Sequence, residues 1–314
     1  MDTFLKMNNK MNNDYMMFLS TNSSNYDVCE EESTPLSMWI KEKDKFYPTI
    51  NSELANVLPS GIYTVNYTQE GFICEKIDQK TDELFKFNNS ISEDILKEIS
   101  KFWDNETIYR ENNIIYKRGI LMYGYPGTGK SSYISLICED LIKQGGIVFK
   151  ISSPAQLSGY IDFIPKVFRK IQPKTPIITI LEDIDKYSDY DYVILDFLDG
   201  HTPLDNHLFI TTSNNLSNVP DTLLRPSRID LKIKIDLPDE NTREEYLKFK
   251  GIENDNLKTF VKLSEGLSIA DLKEAYICFT VFDYTIEESI DRVKSTVDKQ
   301  NYKNITDSSS EIEL

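Results

Sequence analysis

A glycine-rich stretch near the middle of the 314-residue chain has the spacing of a phosphate-binding loop, G-x-x-x-x-G-K-S. Its glycines let successive backbone N–H groups wrap an anionic phosphate without clashes from Cβ atoms. Lys130 would place a cation between the β- and γ-phosphates, and the Ser131 hydroxyl would complete the shell of Mg²⁺. The stretch therefore predicts a site for a nucleoside triphosphate and Mg²⁺, with these candidate ligands: Gly124, Tyr125, Pro126, Gly127, Thr128, Gly129, Lys130, Ser131 and Ser132.

A second candidate site is the acidic end of the apolar run Ile177–Leu181, where Glu182, Asp183 and Asp185 follow. A phosphate-loop hydrolase needs one acid to hold the water shell of Mg²⁺ and another to polarise the attacking water. In an open parallel sheet, residues at the carboxyl ends of the strands face one crevice. The acidic end is therefore expected to face the bound phosphates.

The elements that must position these residues are short apolar runs that alternate with helical segments. Each run is nearly continuous in apolar residues, as is typical of a parallel strand covered on both faces. The alternation predicts a three-layer α/β domain with a parallel sheet. Only helical periods follow, from residue 241 to about 299, and they predict a helical lid. The five runs are Ile120–Tyr123, Ile147–Ile151, Ile177–Leu181, Leu208–Thr212 and Leu231–Ile235.

Upstream of the phosphate loop the pattern indicates a small α+β module without catalytic signals. The β-rich runs Gly61–Tyr67 and Gly71–Ile77 predict a hairpin. Ser90–Glu93 resembles a capping box that opens a helix. The predicted organisation is a mobile arm over 1–35, the module over 36–113, a phosphate-loop core over 114–236, a helical lid over 237–300 and a disordered acidic tail over 301–314.

Composition narrows the function classes. Thirty-five basic and 51 acidic residues leave a net charge of −16, which disfavours broad binding to nucleic acid or to anionic membranes. Four dispersed cysteines and two histidines offer no zinc-site spacing. No apolar run is long enough to span a bilayer, and the first residues lack the apolar segment of a secretory signal. A soluble, intracellular and most simply cytoplasmic protein is expected.

From residue 117 to about 290 the chain resembles the AAA family of ATPases. Beyond the phosphate loop and the acidic strand end, six segments match the family's landmarks in the right order. The resemblance implies ATP as the nucleotide, a homo-oligomeric ring, hexameric or heptameric, and a macromolecular substrate, more often protein than nucleic acid. The segments are Arg118–Gly124, Leu198–Gly200, Phe209–Asn214, Leu223–Asp230, Leu237–Arg243 and Gly266–Leu272.

The resemblance also assigns roles. Glu182 takes the position that holds Mg²⁺ through water, and Asp183 the position of the catalytic base. The Asn214 amide can orient the attacking water or touch the γ-phosphate. Arg225 and Arg228 are assigned to the site of the neighbouring subunit, where a guanidinium neutralises charge on the transferring phosphoryl group.

The order Glu182-Asp183 departs from the Asp-Glu order of most family members. It is similar to the mitochondrial Rieske-protein translocase branch, which carries a transmembrane anchor. No such anchor is expected here, so the resemblance concerns the ATPase core of that branch and not its substrate or location. Asp183 is one methylene shorter than the usual glutamate, so its reach to water needs a backbone shift or the help of Asp185. Which acid is the base stays open.

Four functions compete at this stage. The leading one is a ring-forming ATPase that remodels or moves another macromolecule. The others are a phosphate-loop kinase or nucleotide-metabolising enzyme, a replication-type DNA-associated ATPase, and a nucleotide-binding scaffold without turnover. In a remodeller, Tyr160 within Pro154–Phe163 is a candidate for gripping a threaded chain in the central pore. The alternative is a core tyrosine at the start of a helix.

Overall fold

A nine-stranded sheet forms the centre of the computed structural model. The structure describes residues 38–49, 55–68, 71–77, 85, 90–199 and 204–296, so the predicted arm (1–35) and tail (301–314) lie outside the described residues. The order across the sheet is β1-β2-β4-β3-β6-β7-β8-β5-β9. The strands are β1 (Met38–Glu42), β2 (Lys45–Thr49), β3 (Gly61–Thr68), β4 (Gly71–Lys76), β5 (Lys117–Tyr123), β6 (Ile147–Ile151), β7 (Ile177–Leu181), β8 (His207–Ser213) and β9 (Leu231–Lys234).

The five apolar runs of the sequence form the parallel part of this sheet, which confirms the predicted α/β class. Strands β6, β7, β8, β5 and β9 pair in parallel with their neighbours. Every residue of β7 and of β8 is buried, as expected for strands in the middle of a sheet covered on both faces.

The predicted hairpin exists, but it joins the central sheet. β3 and β4 pair antiparallel, and β3 also pairs in parallel with β6 through Gly61, Ile62 and Tyr63. An additional hairpin, β1–β2, which the sequence analysis did not predict, extends the same sheet beyond β4. The boundary drawn near residue 113 therefore does not separate two sheets. Without β3, β6 would expose unpaired N–H and C=O groups along the edge of the sheet.

Helices cover both faces of the sheet. On one face, α1 (Ser90–Asp104) and α3 (Lys130–Lys143) pack against the strands through Ile95, Ile99 and Ile134. On the other, α4 (Pro154–Phe163) and α5 (Asp191–Asp199) contribute Phe163 and Phe197. The short helix α2 (Glu106–Glu111) follows α1, and α4 continues through a π-helical segment, Ile164–Phe168. The result is the three-layer arrangement predicted.

Downstream of β9 the chain is helical and builds its own apolar core, as the sequence predicts. The helices are α6 (Glu240–Phe249), α7 (Asn254–Leu263), α8 (Ile269–Val281) and a helix over 286–296. Leu247, Phe260, Leu272 and Ile290 are buried together between them. A capping box between Ser268 and Asp271 starts α8. None of the described helices is long and apolar enough to cross a lipid bilayer.

Tyr160 is buried in the core, which confirms the second of the two alternatives for this residue, a core tyrosine rather than a pore residue. Its side chain is fully inaccessible to solvent, and its hydroxyl lies 2.5 Å from Thr179 Oγ1, which lies 2.6 Å from His207 Nε2. Burial raises the pKa of the Tyr160 hydroxyl. Gly159, the glycine beside Tyr160, packs toward Tyr67 of β3, because the hairpin β3–β4 covers this side of the domain.

Replacing Tyr160 with phenylalanine is expected to lower the free energy of unfolding by about 1 kcal/mol, since it removes a buried hydroxyl bonded to Thr179. Denaturant unfolding measures this change. The matched control is Tyr192→Phe, because Tyr192 is 70% exposed and loses no buried hydrogen bond. Equal stability of the two variants would contradict the structural role assigned to Tyr160.

Candidate functional site

The phosphate loop connects the end of β5 to the start of α3, as the sequence predicts. Two of its glycines are required by close contacts. A Cβ on Gly124 would lie 2.0 Å from the Ile235 carbonyl oxygen. Gly127 has a φ of 77°, and a Cβ there would lie 2.6 Å from Ser268 Oγ at the start of α8. The loop thus packs between β9 and the lid with no space for larger residues.

Lys130 lies inside the loop rather than in solvent. Its ammonium donates to the carbonyl oxygens of Gly124 (2.7 Å) and Tyr125 (2.9 Å) and to Asn214 Oδ1 (2.8 Å). Burial lowers the pKa of Lys130, and the charges of Asp183 and Asp185 oppose that shift. A preorganised cation surrounded by acceptors suits an anionic phosphate better than a mobile lysine would.

Asn214 connects the phosphate loop to the acidic strand end. Its amide accepts from Lys130 through Oδ1 and donates through Nδ2 to Asp183 Oδ1 at 3.2 Å. The other carboxylate oxygen of Asp183 lies 2.6 Å from the Lys186 ammonium. The structure therefore brings together three residues that the sequence analysis singled out: Lys130, Asp183 and Asn214.

The backbone of Asp183 has an unusual conformation for a residue other than glycine. Asp183 adopts a left-handed conformation (φ 54°, ψ 53°) at the start of the 3₁₀ turn Ile184–Lys186. Its N–H donates to Thr212 Oγ1 at 2.9 Å, which fixes that conformation against β8. Non-glycine residues in this region are uncommon, and aspartate is among the better tolerated. Among the described residues, Asp185 Oδ1 is buried without a hydrogen-bond partner.

Glu182 forms an ion pair that the sequence analysis missed. Its Oε1 lies 3.1 Å from Nζ of Lys150, which is on the neighbouring strand β6. A signal was available, because Lys150 is the single polar residue in the apolar run Ile147–Ile151. A charged residue in such a run indicates a partner at the same edge of the sheet.

The oxygen ligands that Mg²⁺ prefers are present. Ser131 is exposed at the amino end of α3, and Glu182 is half-buried at the end of β7. In the part of the chain that the structure describes, no cluster of three or more histidine, cysteine or acidic residues could hold a metal ion alone. Mg²⁺ is usually held by one or two protein groups together with phosphates and water. Ser131 and Glu182 would be its protein ligands, the latter through water.

The two candidate arginines have different surroundings. Arg225 is exposed, whereas Arg228 is held in its own chain by an ion pair with Asp199 and by a hydrogen bond to the Thr222 carbonyl oxygen. Ser227, between them, adopts a left-handed φ of 75°, and its N–H donates to Asp230 Oδ1. Ser227 therefore makes a turn of the kind that glycine favours.

Substitution of Lys130 by alanine is expected to abolish or severely weaken nucleotide binding, because it removes the cation held at the phosphate position. Titration with a fluorescent ATP analogue measures the dissociation constant. Lys143→Ala is the matched control, since Lys143 is an exposed lysine at the far end of the same helix. Near-wild-type affinity in Lys130→Ala would rule out this loop as the phosphate site.

Comparisons with known proteins find similarity over the segment that contains these residues. The model of the ATPase family associated with various cellular activities (AAA) matches residues 120–237. The chain is 28% identical over 251 residues to a proteasome-activating nucleotidase of Saccharolobus islandicus, a match that covers 72% of this chain and 62% of that protein. It is 26% identical over 263 residues to a proteasome-activating nucleotidase of Methanococcus maripaludis, covering 74% and 61%. It is 29% identical over 204 residues to a putative cell division cycle ATPase of Plasmodium falciparum, covering 58% and 16%.

The chain thus spans about 62% of the length of the nucleotidases it matches. The matched segment contains every candidate site residue from the phosphate loop to Arg228. In the structure that segment forms the parallel strands β5 to β9 and the loops at their carboxyl ends. Residues 120–237 of this chain are therefore similar to the AAA family of ATPases.

Proposed function

We propose that the chain is a Mg²⁺-dependent ATPase that works as a subunit of a homo-oligomeric ring. The observation that carries this proposal is the continuous set of contacts from Lys130 through Asn214 to Asp183. It joins the group that binds the γ-phosphate to an acid that can act on the attacking water. A nucleotide-binding scaffold without turnover would have no need for that connection.

Each residue has a defined task in this proposal. Lys130 binds the phosphates. Asn214 orients the attacking water and holds the Asp183 side chain in place relative to the phosphate loop. Asp183 accepts a proton from that water or polarises it. Ser131 and Glu182 hold Mg²⁺, which when bound neutralises charge on the phosphates. Asp185, with its buried free oxygen, is the alternative to Asp183 as the base.

The arginine segment supports ring formation. Its exposed member, Arg225, is free to reach another subunit, and Arg228 anchors the segment to Asp199. We therefore propose Arg225 as the residue that acts on the nucleotide of the neighbouring subunit. Arg228 positions it and contributes to the same interface. A phosphate-loop kinase, the main alternative, leaves this arrangement and the helical lid unexplained.

The substrate proposed is a protein or a protein complex, and the ring hexameric or heptameric. Two of the relatives carry the name proteasome-activating nucleotidase, which places them among proteins that act with a proteasome. The net charge of −16 also favours protein over nucleic acid as the partner. The order Glu182-Asp183 supports the proposal that the ATPase core, but not the substrate, resembles the Rieske-protein translocase branch. The burial of Tyr160 excludes that residue from contact with such a substrate.

The substitution Asp183→Asn is expected to keep ATP binding and lose most of the turnover. Asparagine tolerates the left-handed backbone of residue 183 and is nearly isosteric, so the site should remain intact. Steady-state hydrolysis together with an ATP dissociation constant measures both properties. Asp196→Asn, at an exposed position of α5, is the control. If Asp183→Asn hydrolyses normally while Glu182→Gln or Asp185→Asn does not, the base is assigned to the wrong acid.

Loss of Arg225 is expected to lower turnover by on the order of 10³-fold with little change in ATP affinity, as for other arginines supplied in trans. Arg225→Ala and Lys130→Ala should each be inactive alone. Mixed together they should regain activity, because some interfaces then combine an intact phosphate loop with an intact arginine. Lys232→Ala, an exposed cation on β9, is the control.

Sedimentation with ATP present, at the concentrations used for the assay, tests assembly directly. Specific activity that rises with protein concentration supports a ring. If wild type stays monomeric while active, and mixing restores nothing, the ring proposal fails. A phosphate-loop kinase would then be the better-supported function.

A further inference from the structure

Glu182, the acid proposed to hold Mg²⁺, already forms an ion pair with the ammonium of Lys150. Lys150 Nζ and Glu182 Oε1 are 3.1 Å apart, and the two side chains are 33% and 34% exposed. Within the described residues, Lys150 is the single hydrogen-bond partner of the Glu182 carboxylate. The pair is therefore sheltered enough to persist and open enough for an incoming ion to reach it.

The register of the sheet places Lys150 and Glu182 at the position proposed for Mg²⁺. Lys150 lies beside Ile180 in the parallel pairing of β6 and β7, and Glu182 is two residues beyond Ile180. Residues two apart in a strand share a face, so Lys150 and Glu182 lie on the face of the sheet that α3 covers. Ser131, the other proposed Mg²⁺ ligand, is at the start of α3. Burial is the main cause that raises the pKa of Cys138, on the same helix, to about 12. The charges of Lys150 and Glu182 also affect this pKa.

The length of the Glu182 side chain allows its contact with Lys150. This side chain is one methylene longer than aspartate, so its carboxylate can reach across to the neighbouring strand. While it pairs with Lys150, its charge is compensated and one oxygen is engaged. A divalent cation approaching the same carboxylate must displace the ammonium or bind beside it, and either costs affinity.

We propose that Lys150 is a positioning residue that competes with Mg²⁺ for Glu182 and thereby sets the metal concentration at which the nucleotide site fills. This inference rests on the proposed function, because it takes Glu182 as the acid that holds the metal. Lys186, the cation on Asp183, differs from Lys150 because its side chain is more exposed (64%) and its partner lies three residues away in sequence. The backbone of Lys150 is held in the pairing of β6 with β7.

The test uses the full chain with a non-hydrolysable ATP analogue and Mn²⁺ as the metal probe. Metal binding to the nucleotide complex is followed by electron paramagnetic resonance. Lys150→Met keeps the length of the side chain and removes its charge, and should tighten Mn²⁺ binding by about three- to fivefold, the range expected of a partly exposed ion pair. Lys150→Arg keeps the charge and should bind Mn²⁺ as wild type does. Lys143→Met, at the far end of α3, should change nothing.

Three results would overturn the inference. Unchanged or weaker Mn²⁺ binding in Lys150→Met would mean that the lysine does not compete with the metal. Tightening in Lys150→Arg to the same degree would mean that charge is not the cause. Tightening by Lys150→Met that persists in a Glu182→Gln background would mean that Glu182 does not mediate the effect.

Failure of the proposed function has a different signature. If wild type does not bind the ATP analogue, or if Glu182→Gln leaves Mn²⁺ affinity unchanged, the metal role of Glu182 is wrong and the inference falls with it. If Glu182→Gln weakens Mn²⁺ binding as proposed and Lys150→Met shifts nothing, the inference alone fails. Thermal unfolding of each variant identifies any change caused by misfolding.

Discussion

The buried ammonium of Lys130 imposes the strictest requirement on the site. A cation removed from water needs acceptors, and the loop supplies two carbonyl oxygens while Asn214 supplies a third oxygen. Asn214 can do so because β8 pairs in register with β5, with Ser213 opposite Tyr123. Asn214 then reaches Asp183 because β7 is the other neighbour of β8. Pairing of three strands thus places three side chains from distant parts of the chain in one connected set.

The acidic strand end is held from two sides. Asn214 and Thr212 bind Asp183 from β8, and Lys150 binds Glu182 from β6. Each contact crosses from one parallel strand to the next, so the geometry of the acids depends on the sheet rather than on their own loop. The longer acid extends toward β6, and the shorter one relies on a left-handed backbone.

The lid and the phosphate loop are also coupled directly. The N–H of Ala270 donates to the Gly127 carbonyl oxygen at 3.1 Å, next to the capping box that starts α8. The phosphate loop is therefore in direct contact with the first turn of a lid helix. The helical unit has its own apolar core around Phe260 and Leu272.

The sequence by itself determined four features: the phosphate loop, the acidic strand end, the five parallel strands and the helical lid. Each of these has a local signature, a motif or a periodicity, that does not depend on distant contacts. Only the tertiary structure decided that β3 completes the edge of the sheet at β6, that Tyr160 is buried against Thr179, and that Arg228 pairs with Asp199. It also decided the pairing of Lys150 with Glu182. These contacts join residues 19 to more than 80 positions apart, as in Tyr160–Thr179 and Gly61–Ile147, and no periodicity within one segment specifies its partner in another.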